Sequence, residues 1–136
     1  MLCREIARVA VSAATYWVDR PFDYRIPPEL AEKALPGVRV IVPFGAGNRK
    51  TEGIILAVQE KSAHPKLKNI QKVLDDAPIL SPLQLKLLLW MRERFFCTVY
   101  DAMKAMLPVG LWFDDTGVSR VGDKTVRRIS LAIPAE

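Results

Sequence analysis

Hydrophobic positions in the first half of the chain recur every second residue. Val9 and Val11 flank Ala10. Phe22, Tyr24 and Ile26 alternate with Asp23 and Arg25, and Val38, Val40, Val42 and Phe44 share one parity with Arg39 and Ile41 on the other. Ile54, Leu56 and Val58 lie on one parity of residues 52–60, and residues 70–74 make a fifth candidate. A period of two sends alternate side chains to opposite faces, so these stretches predict short strands with one parity in a core. Pro21, Pro27-Pro28, Pro36-Gly37 and Gly45-Ala46-Gly47-Asn48 separate them with turn chemistry. Residues 29–35 have room for one helical turn. Several short strands at this spacing predict a small β-barrel.

The second half changes period. Ser81-Pro82-Leu83-Gln84 carries the signals of a helix start: a Ser cap, Pro at the first helical position, and Gln able to reach back to the cap. Leu80 and Leu85 occupy the positions of a hydrophobic staple. The pattern predicts a helix to about residues 94–96, with Arg92 and Arg94 suited to its negative end. Thr98, Asp101 and Pro108 mark the cap, first turn and end of a second helix. The first helix is apolar on most of its circumference, which predicts that core packing takes up its surface. The expected class is therefore α+β, a small barrel followed by two helices. The expected division is residues 1–76 for the barrel, 77–113 for the helices, and 114–136 for a linker and the start of a further element.

Composition narrows the function classes. The chain has 136 residues, half of them hydrophobic and 26% charged, enough to bury a core. The longest apolar run, residues 87–91, is far too short for a membrane span, and no apolar signal core follows the N-terminus. A soluble, cytoplasmic chain is expected. Cys3 and Cys97 stand far apart and His64 is the sole histidine. That predicts free thiols, no disulfide framework and no self-contained metal site. Net charge is +5, and residues 1–74 hold all of the excess, with twelve Lys/Arg against seven Asp/Glu. Such a local excess suits a polyanionic partner, although a solvated basic face has the same composition.

Catalytic chemistry finds no support. The loop from Gly45 to Thr51 looks like a phosphate loop, but the position before Lys50 is Arg49 instead of Gly, and the first Gly falls on Phe44. The residues after it read as strand, where the motif requires a helix. A single loop histidine cannot anchor a Ser–His–Asp set, and Asp75-Asp76 and Asp114-Asp115 read as turn or linker acids. No cofactor is expected within the chain.

The motifs themselves resemble a known family. Phe22-Asp23-Tyr24-Arg25-Ile26-Pro27, Gly37-Val38-Arg39-Val40-Ile41-Val42-Pro43-Phe44-Gly45, Glu52-Gly53-Ile54-Ile55, Leu67-Lys68-Asn69-Ile70 with Val73-Leu74-Asp75, and Leu107-Pro108 are similar, in order, to the N-terminal domain of PriA replication-restart helicases. The resemblance covers residues 9–108; Phe95-Phe96 stands where the family usually carries tyrosines. It implies a DNA-binding module that recognises the 3′-OH end of the nascent leading strand at a stalled fork, supporting replisome reloading. It implies that Asp23 contacts the 3′-hydroxyl. Phe22, Tyr24, Gly45 and Lys68 would border the terminal nucleotide, and the basic residues Arg39, Arg49 and Lys50 would meet the DNA backbone. The family's helicase motor, with ATP, magnesium and zinc, belongs to other domains, the next being a winged helix. Implied partners are DNA, those other domains, primosome proteins and single-strand-binding protein. Two rival expectations stand beside this one. The chain could be a small-barrel protein-interaction domain of the primosome without direct DNA binding, or an accessory barrel of an RNA-modifying enzyme.

Overall fold

A computed structural model of the chain describes residues 5–108. Cys3 and the expected linker and further element at 114–136 lie outside the described residues. Five strands form one antiparallel sheet: β1 (Ile6–Val11), β2 (Phe22–Arg25), β3 (Arg39–Phe44), β4 (Arg49–Gln59) and β5 (Lys72–Val73), in the order β2-β1-β4-β3-β5. Two helices follow, α1 (Pro82–Arg94) and α2 (Val99–Met106). The class is α+β, as the pattern predicts. A short 3-10 turn at Pro28–Leu30 fills the interval that had room for a helical turn.

The expected barrel does not close. The edge strands β2 and β5 share no ladder, and a single parallel bridge, Arg25 to Asn69, spans the gap. The cause is length: Pro27-Pro28 stops β2 after four residues, β5 has two, and neither can extend a row of hydrogen bonds. The sheet curls around an inner core of Ala7, Val9, Val11, Tyr24, Val40, Val42 and Ile55 with Ile26 and Ile70. Its outer face, at Ala10 and Ile54, is covered by Leu80, Leu85 and Leu88 together with Val99, Tyr100 and Met103.

The parity expected for β4 is corrected by a bulge. Arg8 pairs with Ala57 and Val9 with Ile55, so Leu56 is the extra residue. Ile54 and Leu56 therefore pack on the helical side, while Val58 packs on the inner core with Ile55. Simple alternation cannot anticipate one added residue, because it inverts every later face.

Both helices start as their sequences dictate. Ser81 Oγ accepts the Gln84 N–H and Gln84 Oε1 accepts the Ser81 N–H; Thr98 and Asp101 repeat the arrangement at α2. Leu80 and Leu85 share a core, as the staple requires. The expectation that packing takes up the whole of α1 fails. Leu85 and Leu88 are buried, but Leu83 is 76% exposed, and Leu87, Leu89 and Trp90 are also open. Only one side of the helix meets the sheet, so the remaining apolar surface faces solvent. Gly37, at φ +92°, explains how the helical segment meets the sheet: its N–H donates to Ile55 O, its carbonyl accepts from Ile79 N–H, and a Cβ there would lie 2.3 Å from Leu80 O.

Candidate nucleic-acid interface

Three segments converge at one end of the sheet around an open pocket of about 550 Å³: Arg20–Tyr24 at the start of β2, Pro43–Gly45 at the end of β3, and His64–Lys68 in the connection towards β5. Antiparallel pairing places the first. Phe22 stands opposite Val9 and Tyr24 opposite Ala7, so both rings face the inner core side. The second ends where the β3–β4 hairpin turns, with Gly45 at φ +73° in the left-handed region and its Cβ position open to solvent. The third is held at Lys68, whose carbonyl accepts the Arg25 N–H at 2.8 Å.

Aromatic and cationic groups share the pocket. The rings of Phe22 and Phe44 meet edge to face, 5.2 Å apart, and the Arg20 guanidinium lies 5.5 Å from the centre of Phe22. Tyr24 is buried, and its hydroxyl donates to Pro43 O at 3.0 Å; burial pushes its pKa up to about 12. It is a fixed part of the wall. Lys68 Nζ donates to Gly45 O at 2.6 Å, so the ammonium bridges two of the three segments. Arg20, Lys66 and Lys68 are exposed, giving the rim a positive character.

Asp23 is the one acid among the lining residues. Alternation turns its carboxylate to the face opposite Phe22 and Tyr24, beside its cross-strand partner Arg8. Oδ1 lies 3.6 Å from Arg8 Nε, and Oδ2 accepts from Gln59 Nε2 at 3.2 Å and Ser62 Oγ at 2.5 Å. The side chain is only 8% exposed. Asp23 is thus a lining residue of a nucleotide-sized hollow whose carboxylate is internally partnered.

Five of the residues that the family motifs mark, Phe22, Asp23, Tyr24, Gly45 and Lys68, come together here. Arg39 does not. It is 3% exposed, and its guanidinium makes a two-pronged pair with Asp75 (Nε to Oδ2 2.9 Å, Nη2 to Oδ1 2.5 Å) while its backbone N–H donates to the same carboxylate. The expectation that Arg39 meets a DNA backbone is therefore withdrawn: the side chain serves the interior. Arg49 and Lys50 are exposed and sit opposite Phe44 and Pro43 in the β3–β4 ladder, next to the pocket but not in its lining.

Sequence reasoning missed Arg20, Phe44, Ser62 and His64. Phe44 lies inside a recognised motif and was available. The loop residues follow no periodicity, so no local signal points to them. A second concavity, about 650 Å³ between residues 35–36, 58 and 78–84, carries no ionisable lining group. Among the described residues no His, Cys, Asp and Glu side chains gather as a metal site. The glycine loop runs into β4 and not into a helix, so it is not built as a phosphate loop. No helix among the described residues is long and apolar enough to cross a membrane.

An α+β domain whose sheet end carries an aromatic, cation-rimmed pocket has the features of a nucleic-acid-binding module. The chain belongs to the 3′DNA-binding domain (3′BD) family of PriA, which matches residues 8–108. It is 38% identical over 107 residues to the replication restart protein PriA of Bacillus subtilis, covering 77% of this chain and 13% of that protein. It is 33% identical over 128 residues to PriA of Haemophilus influenzae, covering 93% and 16%. It is also 33% identical over 92 residues to a probable PriA of Mycobacterium tuberculosis, covering 67% and 14%. The chain thus spans about a seventh of the length of these curated relatives. The match falls on the DNA-binding domain, and the family's motor is not among the matched residues.

Proposed function

We propose that this chain binds the 3′-OH end of a DNA strand and serves as the fork-recognition module of a PriA replication-restart helicase. The supporting observation is a pocket whose lining holds one acidic residue, Asp23, together with the exposed cations Arg20, Lys66 and Lys68 and the Phe22–Phe44 pair. An aromatic face accepts any base, at about 1–3 kcal/mol per stacked base, without reading sequence. The cations supply salt-dependent attraction to phosphates. The carboxylate accepts a hydrogen bond from a free hydroxyl and repels a phosphate in the same place. One acid in a basic rim therefore separates an end from a continuing strand. Tyr24 and Gly45 shape the wall, and Lys68 joins it to the β3–β4 turn. In the intact protein, the motor domains and primosome partners act downstream of this recognition.

Hydrogen bonds to charged groups are worth about 1.5–3 kcal/mol. Asp23→Ala is therefore expected to weaken binding to a 3′-OH oligonucleotide by about tenfold to a hundredfold. Binding to the same strand ending in 3′-phosphate should change far less, as read by fluorescence anisotropy. Equal losses on both ends remove Asp23 from this role. Absence of any oligonucleotide affinity at low salt favours a protein-docking function instead, and preference for structured RNA favours an RNA-enzyme accessory role.

A further inference from the structure

One wall of the pocket is fastened to the sheet through a serine hydroxyl. Ser62 Oγ donates to Asp23 Oδ2 at 2.5 Å and accepts the backbone N–H of His64 at 3.2 Å. His64, Pro65 and Lys66, the residues that follow, border the pocket. They lie in a connection between the end of β4 at Gln59 and the anchor at Lys68, and most of its residues are exposed. Without a ladder on either side, such a segment depends on side-chain bonds for its position.

The same contact also orients the acid. A carboxylate offers about four acceptor positions. Oδ2 receives both Ser62 and Gln59, whereas Oδ1 faces only the longer 3.6 Å approach of Arg8, a side chain 49% exposed. The oxygen with capacity for an incoming donor is therefore Oδ1.

Building on the 3′-end reading above, we infer that Ser62 is a positioning residue for end recognition. It holds the Asp23 carboxylate with Oδ1 left for the terminal hydroxyl, and it ties the His64–Lys66 wall to that carboxylate. Selection for a free end and the placement of the His64–Lys66 wall then both depend on one hydroxyl. It sits 39 residues along the chain from the acid it serves.

The test compares the 136-residue chain with its Ser62→Ala and Ser62→Thr variants on two oligonucleotides, one ending in 3′-OH and one in 3′-deoxy. The ratio of the two affinities reports the hydroxyl contact, which a general loss of structure does not move. Ser62→Ala is expected to lower that ratio by about fivefold, and Ser62→Thr, which keeps the hydroxyl, to restore it. In the absence of DNA, Ser62→Ala should also speed hydrogen exchange at the His64 amide. An unchanged ratio in Ser62→Ala, or equal weakening on both ends, overturns the inference while leaving the 3′-end reading in place. A wild-type chain with no 3′-OH preference overturns both. In that event the His64 amide shows separately whether the tether exists.

Discussion

Arg39 shows how far a residue's chemistry depends on a partner that sequence does not point out. Its sign and its place in the G-x-R-V motif suggested a phosphate contact. In the fold, Asp75 takes both prongs of the guanidinium and the Arg39 amide as well, 36 residues away. Both side chains are nearly shut from water, at 4% and 9% exposed. Removing one member of a buried pair strands the other, which typically costs about 3–5 kcal/mol. Arg39→Ala is accordingly expected to lower the unfolding free energy measured in urea by an amount of that order while leaving the salt dependence of DNA binding unchanged. A change in salt dependence with little loss of stability would return Arg39 to the surface role. Phe22, Asp23, Tyr24, Gly45 and Lys68 were legible for a different reason. Short motifs fix their identities together, although nothing in the periodicity brings position 68 to position 22.

At the scale of elements, what is local was readable and what is not was missed. Both capping boxes form within four residues of sequence, so Ser81–Gln84 and Thr98–Asp101 announce their helices. The bulge at Leu56 and the open edges of the sheet depend on how one strand meets another, and no single strand encodes that. The join between helices and sheet is equally non-local. Asp19, buried just before β2, accepts from Arg92 Nε at 2.7 Å and from the Val99 N–H at the start of α2 at 3.1 Å. A carboxylate at a helix N-terminus also favours the positive end of the dipole. Asp19 therefore secures the segment that delivers Arg20 and Phe22 to the pocket. Asp19→Ala is expected to cost about 2 kcal/mol in chemical denaturation, with faster exchange at the Val99 amide. Unchanged stability would mean that the sheet core alone holds this segment.

For the whole molecule, net charge gave the kind of partner but not where that partner would bind. The basic excess belongs to residues 1–74, yet the fold divides it: Arg39 turns inward, Arg20, Lys66 and Lys68 ring the pocket, and Arg49 and Lys50 stand next to it on β4. The exposed aromatics Trp17 and Phe96, at 92% and 96%, lie outside the pocket lining and were not anticipated as surface residues. Counterion release turns this partition into a measurement. Binding to single strands weakens with salt by a log–log slope of about −0.7 for each phosphate neutralised, and losing one phosphate contact flattens it by about one unit or slightly less. If the terminal nucleotides engage the pocket rim, as the proposed function requires, Lys66→Ala should flatten the slope even on a short 3′-ended oligonucleotide. Lys50→Ala should do so only when the strand is long enough to pass beyond the pocket. If both variants flatten the slope equally on the shortest strand that binds, even that strand reaches the hairpin as well as the rim, and it enters the pocket from the β3–β4 side.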